Sequence, residues 1–481
     1  MNYRTVFHIL GNILVVEGCI LILPLILAGA YHEHAAVRGF LTAMIIAFAL
    51  GFILTRIDRK DEVLLMRDSM VIVGLSWIAI SLVGAVPFYV SGEIPIFIEA
   101  FFETMSGFTT TGITVLTDVE SVSRSILFWR SFTVWLGGMG VLVFMLAVLP
   151  GKGGSAVNLM KAESPSSDTD KIVPKTQMSA IILYTIYIIL TVLNFIFLKI
   201  GGMSTFDAVN ITFGTAGTGG FNIHDTSIAY YNSDYISIVT TVFMFLFGVN
   251  YTLFFLMFTG RAREAFRNPE LRAYAAITAV ASVTIAFNTM SRYGSFAKAL
   301  LNSAFAVTAT ESSTGFILDD FDMWPSYSKI LLLALMFTGG CSGSTACGIK
   351  ISRVLILGKM VVADVKRLLS PRSVNVIKYN GRVMQQEALL GVYSFIVMYA
   401  ATFIVSVLLV SINDLDMITT ISAVSAAINN VGCGLGQVGP SGSFSIFSRF
   451  SMIVLSIDML AGRLEIFPIL LMFYPRTWYK Y

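Results

Sequence analysis

Four short glycine-centred stretches hold the residues best suited to chemistry: Thr109-Thr110-Thr111-Gly112, Gly217-Thr218-Gly219-Gly220-Phe221, Ser312-Ser313-Thr314-Gly315-Phe316 and Asn430-Val431-Gly432. Their glycines at positions 112, 220, 315 and 432 recur roughly every hundred residues, enough for one helical hairpin each. Four such loops converging on an axis form a ring of backbone carbonyls, which can replace the hydration shell of a bare cation. Glycine reaches the backbone angles such a ring needs and lets carbonyls crowd together. The threonine and serine hydroxyls add oxygen ligands or brace the loops.

The elements that must hold these stations are apolar helices. The chain has 481 residues, of which 56% are hydrophobic and 13% charged, against about 25% charged in ordinary soluble domains. Runs at 9–27, 40–54, 178–198 and 389–412 approach or reach the length of about 20 residues that crosses the hydrocarbon core. The expected fold is an all-α polytopic membrane protein, with four pseudo-symmetric helix–pore loop–helix modules around one pore and an additional N-terminal hairpin. Spans are expected at 7–29, 38–56, 70–91, 125–149, 178–200, 233–259, 271–291, 325–360 (interrupted), 386–412 and 445–473. The units are then an N-terminal hairpin at 1–66 and pore modules at 67–165, 166–267, 268–375 and 376–481. No polar stretch is long enough for a separate soluble domain. The first apolar run lacks a convincing cleavage site and reads as a retained span. Cys19, Cys341, Cys347 and Cys433 show no metal-ligand spacing with histidine, so neither disulfides nor a metal site are expected.

Basic residues fall in alternate loops: Arg56, Arg59, Lys60 and Arg67; Lys152, Lys161, Lys171 and Lys175; Arg261, Arg263, Arg267 and Arg272; and a rich set from Lys350 to Arg382. The positive-inside rule puts these loops and both termini in the cytoplasm. The opposite loops carry Glu93, Asp118, Glu120, Asp225, Asp234, Asp319, Asp320, Asp322, Asp414 and Asp416, and all four glycine stations lie on that outer side. An acidic mouth concentrates cations, although translocated loops also simply run short of lysine and arginine.

Each outer connection holds a short apolar segment: 95–107, 204–214, 296–309 and 416–428. These are too short to span a bilayer and suit re-entrant helices. Twelve residues before the station glycines stand Ala100, Ala208, Ser303 and Thr420; eleven before stand Phe101, Val209, Ala304 and Ile421; five before stand Gly107, Thr215, Thr310 and Ala427. A short helix descending from outside directs its negative C-terminal end inward, toward a cation. The extended chain after it is tolerable at membrane depth only beside a wet cavity or inside protein.

These residues resemble the TrkH/KtrB/HKT superfamily of potassium transporters, the bacterial TrkH branch most closely. The most specific pieces are Thr109–Thr114, Thr218–Phe221, Ser313–Phe316 and Gly462-Arg463-Leu464-Glu465, and the resemblance covers essentially the whole chain. It implies potassium uptake across the bacterial inner membrane through a channel-like pore. One filter glycine comes from each module, here Gly112, Gly220, Gly315 and Gly432. With the residues before them, Thr111, Gly219, Thr314 and Val431, these form the expected potassium-ligand set. Glycine at 112, where sodium-preferring relatives carry serine, favours potassium, with rubidium, caesium and sodium as the ions to compare. The stations are unequal, since only the first has threonines throughout its approach. The resemblance further implies a homodimer and a cytosolic TrkA-like nucleotide-binding ring as regulatory partner. Nucleotide is expected only on that partner; no organic cofactor and no nucleic acid are expected here.

Two features are expected below the ring. The stretch from Gly339 through Gly340, Cys341, Ser342, Gly343, Ser344 and Thr345 follows an apolar run of about 13 residues, so the helix breaks inside the bilayer. Broken helices there mark permeation paths, and the resemblance implies an intramembrane gating loop. Its near match to a phosphate-binding P-loop has one residue too many before Lys350 and no buried strand ahead of it. The second feature is Arg463, a charge within an apolar run. With a helix beginning near Ser445 it lies about 27 Å down at 1.5 Å per residue. It either repels cations, anchors the loop through its carbonyls, or pairs with Asp458 or Glu465.

One rival reading is a secondary transporter coupling potassium to protons or sodium, with Asp458 and Arg463 on its path. A membrane enzyme is disfavoured, because His8, His32, His34 and His224 lie near span ends or in loops without a base–nucleophile pair. A pure scaffold leaves the four glycine loops without a purpose.

Overall fold

The computed structural model describes residues 1, 3–57, 65–140, 176–371 and 376–479. The basic residues Arg59, Lys60, Lys152, Lys161, Lys171, Lys175 and Arg372, and the part of the fourth expected span beyond residue 140, lie outside these.

Among the described residues, six helices are long and apolar enough to cross a membrane: Tyr3–Ala30, His34–Thr55, Met66–Ser91, Met178–Ile200, Pro269–Tyr293 and Gln386–Asn413. The first two pack on each other as the N-terminal hairpin. The rest belong to four modules, each an outer helix, a short pore helix and an inner helix. The pore helices are Phe97–Phe108, Thr205–Gly217, Phe296–Glu311 and Met417–Ile428, close to the expected re-entrant segments. Two begin at a capped turn, where Ser204 accepts from Asp207 N–H and Asp416 from Thr419 N–H. Such side chains satisfy amide groups that a helix start leaves without partners.

The repeat seen in the sequence is a repeat of environment. Ala100, Ala208, Ser303 and Thr420 are buried in all four copies, while Phe101, Val209, Ala304 and Ile421 are half-buried in all four. Small residues at the first position let each pore helix sit close against its neighbours, as membrane helix packing requires.

Two expected spans are not continuous. The span at 233–259 is two helices, Asp234–Phe247 and Tyr251–Phe258, bent by 94°. The break falls at Gly248-Val249-Asn250, where Asn250 caps the second helix through Thr252 N–H. The span at 445–473 is also divided, into Arg449–Arg463 and Phe467–Phe473. Pro468 has no N–H to continue the ladder, and its ring collides with the carbonyl of residue 464 in a continuing helix. Glu465 and Ile466 take up the turn with φ of +57° and +68°. The helix therefore begins at Arg449, and Arg463 lies roughly 21 Å along it at 1.5 Å per residue. The span at 325–360 is interrupted as expected, with Ser326–Thr338 and Ile351–Leu369 flanking the glycine-rich loop.

Candidate cation pathway

Each pore helix ends in the same way. The N–H of the residue before the station glycine reaches back five residues: Thr111 to Ser106 O, Gly219 to Gly214 O, Thr314 to Ala309 O and Val431 to Ala426 O, at 2.8–3.1 Å. The N–H one position earlier reaches back three: Thr110 to Gly107 O, Thr218 to Thr215 O, Ser313 to Thr310 O and Asn430 to Ala427 O. This paired closure is the Schellman motif, which satisfies the last carbonyls and needs a left-handed residue. Thr110, Thr218, Ser313 and Asn430 supply it with φ of 53–58°. The acceptors Gly107, Thr215, Thr310 and Ala427 are the small residues that the sequence aligned.

The station glycines are left-handed as well, with φ of +80°, +51°, +73° and +101° at Gly112, Gly220, Gly315 and Gly432. Added β-carbons would meet the carbonyl of Gly219 at Gly112, of Thr314 at Gly220, of Val431 at Gly315 and of Thr111 at Gly432. The four stations thus form a closed ring in chain order, with a carbonyl where each side chain would stand. All four glycines line one open vestibule with about 890 Å³ of empty space, open solvent included, along with Thr114, Asn222, Asp225 and Cys433.

Side chains make the quadrants unequal. At the first station Thr109 Oγ1 and Thr111 Oγ1 pair at 2.8 Å, and at the third Ser312 Oγ and Thr314 Oγ1 pair at 2.7 Å. The second and fourth stations have Gly217 with Gly219 and Asn429 with Val431 at those positions, and so no hydroxyl pair. Behind the first two stations Arg130 donates to Glu103 at 2.5 Å and to Asn222 O at 2.7 Å. Its guanidinium stacks 3.8 Å from the Phe221 ring centre, and Glu103 also accepts from Thr114 Oγ1 and Val115 N–H at 2.9 Å.

The broken-helix loop lies against this ring: Cys347 N–H donates to Ser313 Oγ at 2.9 Å. Cys341 N–H bonds Gly248 O at 2.9 Å and Tyr251 N–H bonds Gly343 O at 3.1 Å, so the two interrupted helices dock through their breaks. Glu270 accepts from Ser342 N–H at 2.7 Å and Ser352 N–H at 3.1 Å. Arg463 bonds Thr345 O at 3.0 Å, Gly137 O at 2.5 Å and Gly138 O at 2.6 Å, and approaches Thr110 Oγ1 at 3.3 Å. It therefore touches the loop through one carbonyl, Thr345 O, and the end of the helix Arg124–Gly138 through two. Glu465 instead pairs with Arg353 and Lys350, and Asp458 accepts from Ser406.

A family model for TrkH, described as a cation transport protein, matches residues 34–479. The chain belongs to the TrkH family. The Trk system potassium uptake protein TrkH of Escherichia coli (strain K12) is 35% identical over 484 residues, covering 99% of this chain and 100% of that protein. The Trk system potassium uptake protein TrkG of the same organism is 30% identical, covering 99% of each. The crystal structure of the potassium transporter TrkH from Vibrio parahaemolyticus matches with a TM-score of 0.89 at 32% identity, covering 100% of both chains.

Within this TrkH-family architecture, several residues at the pathway were not singled out from sequence. Arg130 and Glu103 carried the same signal as Arg463, a charge in an apolar segment. Glu270 sits one residue past the helix-starting Pro269, where a first-turn acid reads as an ordinary dipole partner. Lys350 and Arg353, from the richest of the basic loops, turn inward to Glu465. The outer acids mostly brace loops: Glu93 accepts from Ser123, Asp225 from Val119 N–H and Asp322 from Gly436 N–H. Asp225 is the acid among them that lines the vestibule.

Proposed function

We propose that this chain takes up potassium, as its relatives' names state for them, that it does so across the bacterial inner membrane, and that the glycine ring is the selectivity filter. Thr111, Gly112, Gly219, Gly220, Thr314, Gly315, Val431 and Gly432 are the ligand set. The observation that carries this reading is the closed ring, in which every station glycine makes room for a neighbouring station's carbonyl. Such a ring presents oxygen to a dehydrated cation and nothing to an anion. The loop Gly339–Thr345 together with Arg463 is the gate: the loop's carbonyls and Arg463's charge occupy the inner side of the ring until the loop moves. Flow is downhill, driven by the membrane potential at about 2.3 kcal/mol per charge per 100 mV.

The module limits given above, both termini in the cytoplasm, a homodimer and a cytosolic nucleotide-binding ring complete the proposal. The exposed end of Ile351–Leu369, with Lys366 and Arg367, is a surface open to such a partner. The coupled-transporter alternative would rest on Asp458, which accepts from Ser406 and does not pair with Arg463. Purified protein in liposomes tests the reading. Potassium and rubidium should enter under an inside-negative potential and sodium more slowly. Flux no greater than in empty vesicles, or equal flux of all three ions, sinks it.

A further inference from the structure

We propose that Asn430 is a selectivity-determining positioning residue, which ties the ring's first station to the helix that ends in Arg463. This rests on reading the ring as a potassium filter. Asn430 is fully buried in the left-handed position two residues before Gly432. Its amide carries two hydrogens, and the two nearest acceptors account for both: Thr111 Oγ1 at 2.7 Å and Met459 O at 2.9 Å. Thr109 O stands at 3.3 Å beside the first. The opposite amide orientation would set an oxygen against the Met459 carbonyl, so the donors must face this way.

This orientation fixes a chain of hydrogen bonds across the first station. Thr109 Oγ1 spends its hydrogen on Met105 O at 2.7 Å, so in its 2.8 Å pair with Thr111 it is the acceptor. Thr111 therefore donates to Thr109 and accepts from Asn430. Donation runs outward from Asn430: one hydrogen goes to Met459 O and the other to Thr111, which donates to Thr109, which donates to Met105 O.

The consequence is mechanical. The Thr111 carbonyl occupies the space at Gly432, so Asn430 sets the position of one of the four ligands from across the module boundary. Met459 lies one helical turn before Arg463, which bonds the loop at Thr345 O. The same helix end thus holds the loop through Arg463 and the filter through Asn430. A movement that frees the loop also pulls on the first station. At the equivalent positions of the other stations, Thr110, Thr218 and Ser313 have a single hydroxyl hydrogen and cannot make this double link.

Asn430→Gly removes the amide while keeping the left-handed backbone at no steric cost. Reversal potentials under opposed potassium and sodium gradients read the result. The potassium-to-sodium permeability ratio should fall about fivefold, the worth of one net hydrogen bond, with potassium current retained. Thr111→Val should give a similar fall, and the double variant no more than either alone, as expected of residues in one network. Asn430→Ser gives the same answer should the glycine variant not assemble. An unchanged ratio in a conducting Asn430 variant, or falls that add in the double variant, overturns the proposal. A wild type with no preference for potassium overturns the filter reading and this proposal with it.

Discussion

The glycine ring and the broken-helix loop are both rich in glycine, serine and threonine, yet they are held in different ways. Each quadrant of the ring closes on its own pore helix, through two backbone bonds spanning three and five residues. The loop from Gly339 to Thr345 depends on other modules: on Gly248 and Tyr251 at the break in the second, and on Arg463 in the fourth. Local backbone closure survives small movements of neighbours, whereas tertiary bonds are lost together when one partner moves. Regions held by few such contacts open at low free-energy cost. On the proposed reading, the contrast is that of a fixed aperture with a movable plug.

The largest expected effect breaks the aperture. Gly220→Ala places a β-carbon on the Thr314 carbonyl, at a left-handed φ of +51°. Strain and overpacking together cost above about 3 kcal/mol, so ion flux in liposomes should fall about a hundredfold while the protein still elutes as an assembled species. Retained flux with retained selectivity contradicts the ring.

Freeing the plug should act in the other direction. Arg463→Ala removes charge-assisted bonds to three carbonyls, worth about 1.5–3 kcal/mol for even one such bond. Basal flux without any regulatory partner should rise at least about tenfold, with potassium still preferred. A variant that conducts and gates like wild type shows that Arg463 does not hold the loop shut. A smaller rise, about fivefold or less, is expected for Glu270→Gln, which keeps an acceptor for Ser342 and Ser352 but gives up the charge. If it exceeds the Arg463 effect, the loop is held mainly from its cytoplasmic side.

The ring could be read from sequence because its determinants are local and occur four times. A Schellman closure needs small residues, one left-handed residue and a glycine at fixed offsets, and Gly107, Thr215, Thr310 and Ala427 display that spacing. The loop's bonds could not be read, since they join residues of different modules, such as Arg463 with Thr345, 118 positions away, and Cys341 with Gly248. Pro468 was a legible breaker inside an apolar run, and hydropathy alone passed over it. The 94° bend at Gly248 has a weaker local signal, because its partner is the second broken helix.

The closure of the ring also has a handedness. The first three stations each lean on the carbonyl of the next in the chain, and the fourth leans on the first, always in one rotational sense. A displaced quadrant therefore presses on the neighbour ahead of it and leaves a gap at the neighbour behind. A substitution at Gly315 should accordingly disturb the ligand from Val431 before it disturbs the one from Gly219.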